Sequence, residues 1–410
     1  MTLALRVLAG LIAGFLLGLT IAGSTSPAAA MTLDILAPVG TIFLNLIRLS
    51  VIPLVMSIVV ASVGSMSSVR GFGRTGTRSA LIALGLLITA AAGTALIAGP
   101  ALAFISIDRG AARALQIPGT TSTPSTGTSF ASWVMDLVPQ NIIKAAADGA
   151  ILPVILSAVL FGLALGHVSE TKRKAVLQVV EGIAEAMQHL IVWILALAPI
   201  GVFALAVALA ARLGLQAAGA VAGYIVLVVI LTVVETALLL YPLGILAGSM
   251  STAAFLSYCA PSQAIAFASR SSLAALPVML DSAERAGLPA STSRLILPLA
   301  AAVFHFGSAI AQTVGVLFIA RLFGVALTTP QLLSAILAVV IATFAVPGIP
   351  GGSIVAMVPV LAAANLPVEG IGILLAVDTI PDMFRTTANL TGAMTLTAVI
   401  AKWQCSRGLN

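Results

Sequence analysis

Residues 378–392 read Asp-Thr-Ile-Pro-Asp-Met-Phe-Arg-Thr-Thr-Ala-Asn-Leu-Thr-Gly, and they place charged and amide side chains in an apolar part of the chain. Asp378, Asp382, Arg385 and Asn389 stand at relative positions 0, 4, 7 and 11. On an α-helix, with about 100° of rotation per residue, these positions fall within about 60° of arc. The segment is therefore predicted to be a helix with one narrow polar stripe.

The composition around this stripe is that of a membrane protein. Of the 410 residues, 60% are hydrophobic and 8% are charged, against roughly 25% charged in a soluble domain. The apolar stretches are too long, and too rich in Leu, Ala and Val, to be barrel strands with a polar alternate face. The sequence predicts an all-α polytopic membrane protein. Because a charge at bilayer depth costs several kcal/mol unless it is paired or wetted, the polar stripe should face the protein interior or a cavity.

The first 250 residues are predicted to hold six spans, at residues 3–22, 35–63, 81–105, 151–166, 181–210 and 217–247. The first could instead be a cleaved signal peptide, since small residues follow it, but a chain with many spans needs none. Two basic clusters, at residues 70–78 and 172–174, predict cytoplasmic N- and C-termini. Residues 120–129 are predicted to be an exposed loop.

The pattern changes after about residue 251, where apolar segments become shorter and are interrupted by Pro, Gly and Ser. Residues 258–281 contain Arg270-Ser271-Ser272, and residues 343–366 contain Pro-Gly-Ile-Pro-Gly-Gly-Ser. Each segment is predicted to be a re-entrant hairpin, two half-helices meeting at a non-helical tip. A pair of such segments points to the binding site of a transporter.

Two interpretations of the stripe stay open. Asp382 and Arg385 could form an internal ion pair that joins two helices. Alternatively, Arg385 binds a substrate carboxylate, Asp382 accepts hydrogen bonds from an ammonium group, and Asn389 serves a second carboxylate. The second interpretation predicts a small zwitterionic substrate with an additional acid group.

The stretch 378–392 resembles the last transmembrane helix of the dicarboxylate/amino acid:cation symporter family, the glutamate/aspartate transporter fold. Residues 270–277 and 348–351 resemble the tips of that family's two hairpins, and residues 51–55 and 184–204 resemble its second and fifth helices. The resemblance implies eight transmembrane helices plus two re-entrant hairpins, an elevator-type transporter assembled as a homotrimer in the cell (inner) membrane. It divides the chain into helices at 1–250 and a transport core at 251–410, with hairpin 1 at about 252–285, helix 7 at about 294–324, hairpin 2 at about 330–365 and helix 8 at about 367–402.

The resemblance also implies which residues bind the substrate. Arg385 would bind its side-chain carboxylate, Asp382 its amino group, and Asn389 its α-carboxylate. The residues implied to complete the site are Ser271, Ser272, Thr386, Ser308, Arg270 and the second hairpin tip at Gly348 and Gly351.

The sodium motif departs from the family pattern. Sodium-coupled members carry Asn-Met-Asp-Gly-Thr where this chain has Phe-His-Phe-Gly-Ser at 304–308, and Ala393 stands where the family has an aspartate. Phenyl rings cannot coordinate a hard cation that needs several oxygens. Sodium sites are thus predicted to be degraded, with no other metal or cofactor. His305 and Glu235 are candidates for proton coupling. The plainer alternative for His305 is a neutral, hydrogen-bonded histidine, and the plainer alternative for Glu235 is a hydrogen bond between two helices.

The predicted function is secondary active transport of acidic amino acids, independent of sodium and either proton-coupled or uncoupled. The alternatives are a C4-dicarboxylate:cation symporter, which a buried Asp382 would disfavour by repulsion, and a passive permease or channel. An enzyme is not expected, since no HExxH motif is present. The expected partners are a small anionic substrate, the lipid bilayer and two further copies of the chain. Nucleic acid is not expected, because the basic residues do not form a patch.

Overall fold

The computed structural model describes residues 3–22, 24, 26–66, 73–104, 135, 138–147, 151–213, 216–344, 346, 351–368 and 370–406. These described residues form helices and contain no strand. The helices before residue 250 are α1 (Leu3–Ile21), α2 (Pro27–Met66), α3 (Gly73–Ala103), α4 (Ile142–Ala147), α5 (Ile151–Leu165), α6 (Glu170–Ala196), α7 (Ala198–Leu213) and α8 (Gln216–Glu235). Two π-helical segments, Thr236–Leu240 and Leu243–Ala247, follow α8.

The remaining helices are shorter and more often interrupted. They are α9 (Thr252–Ser269), α10 (Leu276–Arg285), α11 (Ala290–Val303), α12 (Phe306–Leu322), α13 (Thr329–Thr343), α14 (Gly352–Val355), α15 (Val358–Ala363), α16 (Gly370–Val377) and α17 (Thr379–Cys405). α9 packs on α10, and α13 packs on α15. We call these two pairs of packed helices helix–turn–helix units; the connection between α13 and α15 includes α14, and its residues 345 and 347–350 lie outside the described residues.

By length and composition, four helical stretches among the described residues can cross a membrane: Gly76–Ala103, Glu170–Ala196, Gly219–Ala247 and Ala290–Leu322. Shorter apolar helices accompany them. The prediction of a helical membrane protein is confirmed at this level. The stretch Ala290–Leu322 is mostly buried inside the protein, whereas no more than about a third of each of the other three is buried, so it forms part of the core.

Several of the predicted spans differ from the observed helices; α3, predicted at 81–105, begins at Gly73. The span predicted at 181–210 is two helices, α6 and α7, that meet at Leu197. Pro199 lacks a backbone N–H, so the helical hydrogen bond to the Leu195 carbonyl cannot form. The Leu197 carbonyl accepts hydrogen bonds from Ile200 and Gly201, which lie in the first turn of the next helix. Helix α2 is longer than the predicted 35–63 and continues through Pro38 and Pro53. The loop predicted at 120–129, Arg70 and the side chain of Arg74 lie outside the described residues.

Helix α1 packs against α7 through three glycines spaced four residues apart. A Cβ atom added at Gly10 or Gly14 would lie 2.4 Å from a carbonyl oxygen of α7, and one at Gly18 would lie 2.6 Å from Ala210 Cβ. Residues four apart share one helix face. The two backbones can therefore approach closely, as in small-residue packing of membrane helices.

Helix α17 lies at the centre of the second half of the chain. It packs on α8, α9, α11 and α12, and most of its residues from 385 to 401 are buried. Polar side chains along it are therefore enclosed by protein. The unwound pair Phe304 and His305, between α11 and α12, crosses α17 near Gly392.

Candidate substrate site

A small cavity lies where the tip between α9 and α10 meets α12, α14 and α17. Its volume is about 30 Å³, which is room for only a few water molecules and not for an amino acid. Nine of the predicted substrate and proton-coupling residues line it: Arg270, Ser271, Ser272, His305, Ser308, Asp382, Arg385, Thr386 and Asn389. Leu273, Ala301, Val346 and Ser353 complete its wall. Most of the residues that line this cavity were therefore predicted from the sequence to belong to the site.

Arg385 is the central charge of this cavity, and its side chain is 1% exposed. Its Nη1 and Nη2 atoms donate to the two carboxylate oxygens of Asp378 at 2.8 and 2.9 Å. Nη2 also donates to Asp382 Oδ1 at 2.6 Å. An ion pair between Asp382 and Arg385, which the sequence left open, is therefore present, but it lies along one helix and does not join two; Asp378 is the bidentate partner. Asp378 precedes the first turn of α17 and lies two turns before Arg385, which puts it on the same helix face.

Asp382 keeps one carboxylate oxygen free of hydrogen bonds. Its Oδ1 binds Arg385 and accepts a longer hydrogen bond from Thr386 at 3.4 Å, whereas the buried Oδ2 has no hydrogen-bond partner in the described chain. A second cation, Arg270, lies near Oδ2, with its Nη1 4.0 Å away. Arg270 is the residue at which α9 ends, and its φ of 55° is in the left-handed region, which is uncommon for a residue with a Cβ atom.

Asn389 joins α17 to the start of α12. Its Oδ1 accepts hydrogen bonds from the backbone N–H groups of Gly307 and Ser308 at 2.7 and 3.2 Å. Helix N-termini carry unsatisfied N–H donors, and the Asn389 amide oxygen satisfies two of them. A Cβ atom at Gly307 would lie 2.4 Å from the Arg385 carbonyl, so this crossing needs a glycine. The Nδ2 atom of Asn389 remains on the cavity side, 3.5 Å from Ser308 Oγ.

The second helix–turn–helix unit contributes Val346 and Ser353. Gln312, on α12, donates through Nε2 to the Ser353 carbonyl at 2.9 Å, and this polar contact was not anticipated from the sequence. Gly351 precedes α14 with a φ of 79° and does not line the cavity. Gly348, predicted to belong to the site, lies outside the described residues.

The whole chain matches a known family. Residues 3–403 match the sodium:dicarboxylate symporter family.

The chain belongs to this family.

The similarity to known relatives extends over nearly the full length of this family member. It is 29% identical to the proton/glutamate-aspartate symporter of Escherichia coli strain K12, over 98% of this chain and 93% of that protein. It is 30% identical to the proton/sodium-glutamate symport protein of Bacillus subtilis strain 168, over 98% of this chain and 92% of that protein. The protein of the same description from Bacillus caldotenax is 29% identical over 98% of this chain and 94% of its own length. The resemblance found in the sequence is confirmed.

Phe304, His305 and Phe306, at the position where the family resemblance predicts a degraded sodium motif, are buried in the core. Phe304 and Phe306 are 1% and 0% exposed, and their ring centroids are 6.5 Å apart. His305, between them, donates from Nδ1 to the Thr343 carbonyl at 2.8 Å. This hydrogen bond fixes the orientation of the ring, and it is available to a neutral and to a protonated imidazole, since Nδ1 carries a proton in both. Among the described residues, no three His, Cys, Asp or Glu side chains lie close enough to hold a metal ion.

Glu235, the other proton-coupling candidate, lies outside the cavity. Thr94 on α3 donates to its Oε1 at 2.5 Å. The helix–helix hydrogen bond that the sequence left open is therefore present.

Proposed function

We propose that this protein is a secondary transporter of the acidic amino acids aspartate and glutamate. One observation carries the proposal: Arg385, Asp382 and Asn389 on α17 share a single cavity with Arg270, Ser271 and Ser272 at the α9–α10 tip. A guanidinium group binds a carboxylate through two parallel hydrogen bonds, and a carboxylate accepts hydrogen bonds from an ammonium group. These groups complement the three charges of an acidic amino acid. Two relatives, described as a proton/glutamate-aspartate symporter and a proton/sodium-glutamate symport protein, support the same substrate class.

Substrate binding would exchange partners rather than fill an open pocket. Arg385 already holds two carboxylates, so a substrate carboxylate would replace part of that contact. The free Oδ2 of Asp382 is the acceptor for the substrate ammonium group. Because the cavity has room for only a few water molecules, one of the two helix–turn–helix units would move outward to admit an amino acid.

The architecture proposed for transport follows the family resemblance. We propose eight transmembrane helices and two re-entrant hairpins, in a homotrimer of the cell membrane with cytoplasmic N- and C-termini. The hairpins and the last two helices would carry the substrate as an elevator. The helix–turn–helix units α9–α10 and α13–α15, both of which contribute residues to the cavity or adjoin ones that do, support this arrangement.

Transport is proposed to be independent of sodium and coupled to protons. The residues that replace the sodium ligands of the family, Phe304, Phe306 and Ala393, offer no side-chain oxygen, and all three are buried. A sodium ion there would lose hydration that the side chains do not replace. The chain resembles relatives of both kinds, one described as a proton symporter and others as proton/sodium symporters.

A C4-dicarboxylate is the second candidate substrate. One contact favours it: Arg270 lies 4.0 Å from Asp382 Oδ2, so it can offset the negative charge that would otherwise repel a second substrate carboxylate. A dicarboxylate would then use Arg385 and Arg270, with no ammonium group.

The deciding experiment is uptake of labelled aspartate, glutamate and succinate into proteoliposomes under imposed sodium, proton or no gradients. Accumulation of aspartate or glutamate against a concentration gradient supports the proposal. Accumulation of succinate alone would favour the dicarboxylate. Equilibration without accumulation under every gradient would indicate a passive permease.

A further inference from the structure

A second buried polar cluster lies where α8 meets α3. Glu235, the last residue of α8, is 5% exposed. Thr94, which is fully buried on α3, donates to Glu235 Oε1 at 2.5 Å. The other oxygen, Oε2, is buried and has no hydrogen-bond partner in the described chain. Thr232, three residues earlier and on the same helix face, also has a buried hydroxyl without a partner.

Glu235 forms no ion pair among the described residues. The elements that pack on α8 are α3, α7, α12, α17 and the first π-helical segment. Their charged residues, with Asp378 just before α17, are Arg74, Arg78, Arg212, Arg321, Asp378, Asp382, Arg385 and Lys402. Asp378, Asp382 and Arg385 pair with one another, and the side chains of Arg74 and Arg212 lie outside the described residues. An unpaired carboxylate at bilayer depth is expensive, whereas a protonated carboxyl group is neutral and can donate a hydrogen bond.

The chain that follows Glu235 connects it to the substrate-binding helix. Residues Thr236–Leu240 are π-helical, a geometry often found at functional sites. Thr395, on α17, donates to the Leu240 carbonyl at 3.3 Å. Gln263 donates to Tyr241 Oη at 2.9 Å and to Thr391 Oγ1 at 2.8 Å. The helical segment that continues from Glu235 is therefore hydrogen-bonded to α17, directly at Thr395 and through Gln263 at Thr391.

We propose that Glu235 binds the proton that is transported with the substrate, and that Thr94 is a positioning residue that orients the Glu235 carboxyl group. This inference rests on the proposed function. The proton would bind when Glu235 is ionised and leave after the substrate has crossed the membrane. No bond other than the O–H bond of the carboxyl group forms or breaks.

His305 is the rival proton site. Its Nδ1 is committed to the Thr343 carbonyl, and its ring lines a cavity of about 30 Å³ that also contains Arg270 and Arg385. A protonated imidazole would add a third positive charge to that cavity. Glu235 has no such neighbours in the described chain, and its protonation removes a charge rather than adding one.

The test uses the full-length protein. In weakly buffered solution with a pH indicator, aspartate binding to the wild type should be accompanied by proton uptake, and Glu235→Gln should abolish this uptake while aspartate binding stays measurable by calorimetry. In proteoliposomes, accumulation of labelled aspartate driven by a pH gradient should fall at least about tenfold in Glu235→Gln, and Glu235→Asp should restore part of it. In His305→Gln, proton uptake per bound aspartate should persist.

Thr94→Val provides a second measurement that does not depend on the Glu235 variants folding. Losing the hydrogen bond should move the pH profile of aspartate uptake by about half a unit or more. The matched control is Thr313→Val, because Thr313 is an equally buried threonine whose hydroxyl bonds to its own helix, at the Ala309 carbonyl. Its pH profile should stay where it is in the wild type.

The inference is overturned if Glu235→Gln accumulates aspartate under a pH gradient as the wild type does, or if His305→Gln alone abolishes proton uptake. A pH profile unchanged in Thr94→Val would overturn the role of Thr94. A wild type that transports aspartate but ignores the pH gradient would contradict the proton site and leave the substrate assignment standing. A wild type that transports neither aspartate nor glutamate would contradict the proposed function itself.

Discussion

Arg385 combines two roles, because the guanidinium group proposed to bind substrate also neutralises two buried carboxylates. Asp378 and Asp382 are 4% and 5% exposed, and Arg385 binds both. Breaking a buried pair by removing one partner leaves an uncompensated charge and typically costs about 3–5 kcal/mol. A loss of transport after truncation of Arg385 would therefore not by itself distinguish binding from folding.

A pair of substitutions separates these roles. Arg385→Ala should lower the unfolding free energy by about 3 kcal/mol or more, because both carboxylates lose their partner. Arg385→Lys keeps the charge but not the planar fork, so the protein should stay folded while aspartate affinity falls at least about tenfold. Thermal unfolding and calorimetric titration measure the two effects. Unchanged aspartate affinity in the lysine variant would remove Arg385 from the substrate site.

Asp382→Asn tests which substrate the site selects. The substitution keeps the shape of the side chain but removes the charge that an ammonium group needs. Aspartate binding should weaken by at least about tenfold, whereas succinate binding should hold or improve, because a repulsive carboxylate has been removed. Competition of both compounds against labelled aspartate would give the two affinities. Equal losses for both would mean that Asp382 serves only the internal pair with Arg385.

Among the helices, α1 and α7 depend most visibly on the absence of side chains. Gly10, Gly14 and Gly18 bring the α1 backbone against α7, and the contact extends along the length of α1. Lipid chains are as apolar as leucine, so close van der Waals packing is what favours one helix over lipid as a neighbour. The same dependence occurs where Gly307 meets the Arg385 carbonyl.

The packing of α1 can be tested with matched glycine substitutions. Gly14→Ala places a Cβ atom 2.4 Å from the Phe203 carbonyl oxygen, so α1 and α7 must separate and the unfolding free energy should fall by about 1–3 kcal/mol. Gly85→Ala, on α3, meets no atom within 4 Å and should be neutral or slightly stabilising, because alanine is the better helix former. Thermal unfolding in detergent compares the two. Equal melting temperatures would show that α1 does not need this contact.

For the molecule as a whole, the ion that drives transport is the property on which the family name and the residues of this chain disagree. The family is named for sodium, but phenyl rings occupy the position of its sodium motif and are buried in the core. Coupling is reciprocal: if an ion drives transport, it must raise the affinity of the protein for the substrate, and the substrate must raise the affinity for the ion by the same factor.

Substrate affinity should therefore change less than about threefold between sodium and choline buffers, a coupling free energy below about 0.7 kcal/mol. Calorimetric titration of aspartate in the two buffers measures it, and potassium serves as a control for ionic strength. A dependence on sodium of about tenfold or more would show that backbone carbonyls rebuild the ion sites without side-chain oxygens.

The sequence by itself determined the helical membrane class, because long apolar segments of low charge have no other stable form in a bilayer. It also determined the polar stripe on α17, since the angular positions of Asp378, Asp382 and Arg385 follow from helical periodicity alone. The sequence Arg-Ser-Ser at 270–272 predicted a non-helical tip between two helices, and the left-handed backbone of Arg270 lies within it. These features depend on neighbours in the chain, and local rules suffice for them.

Only the tertiary structure decided which partners the polar groups take. Helical spacing allowed Arg385 to pair with Asp378, with Asp382 or with a substrate. In the folded chain Arg385 donates hydrogen bonds to both aspartates at once. Asn389 caps α12 across 82 residues of sequence, and Thr94 reaches Glu235 across 141. Such contacts depend on how buried helices cross, because a polar atom enclosed by protein must take whatever donor or acceptor the neighbouring helix presents.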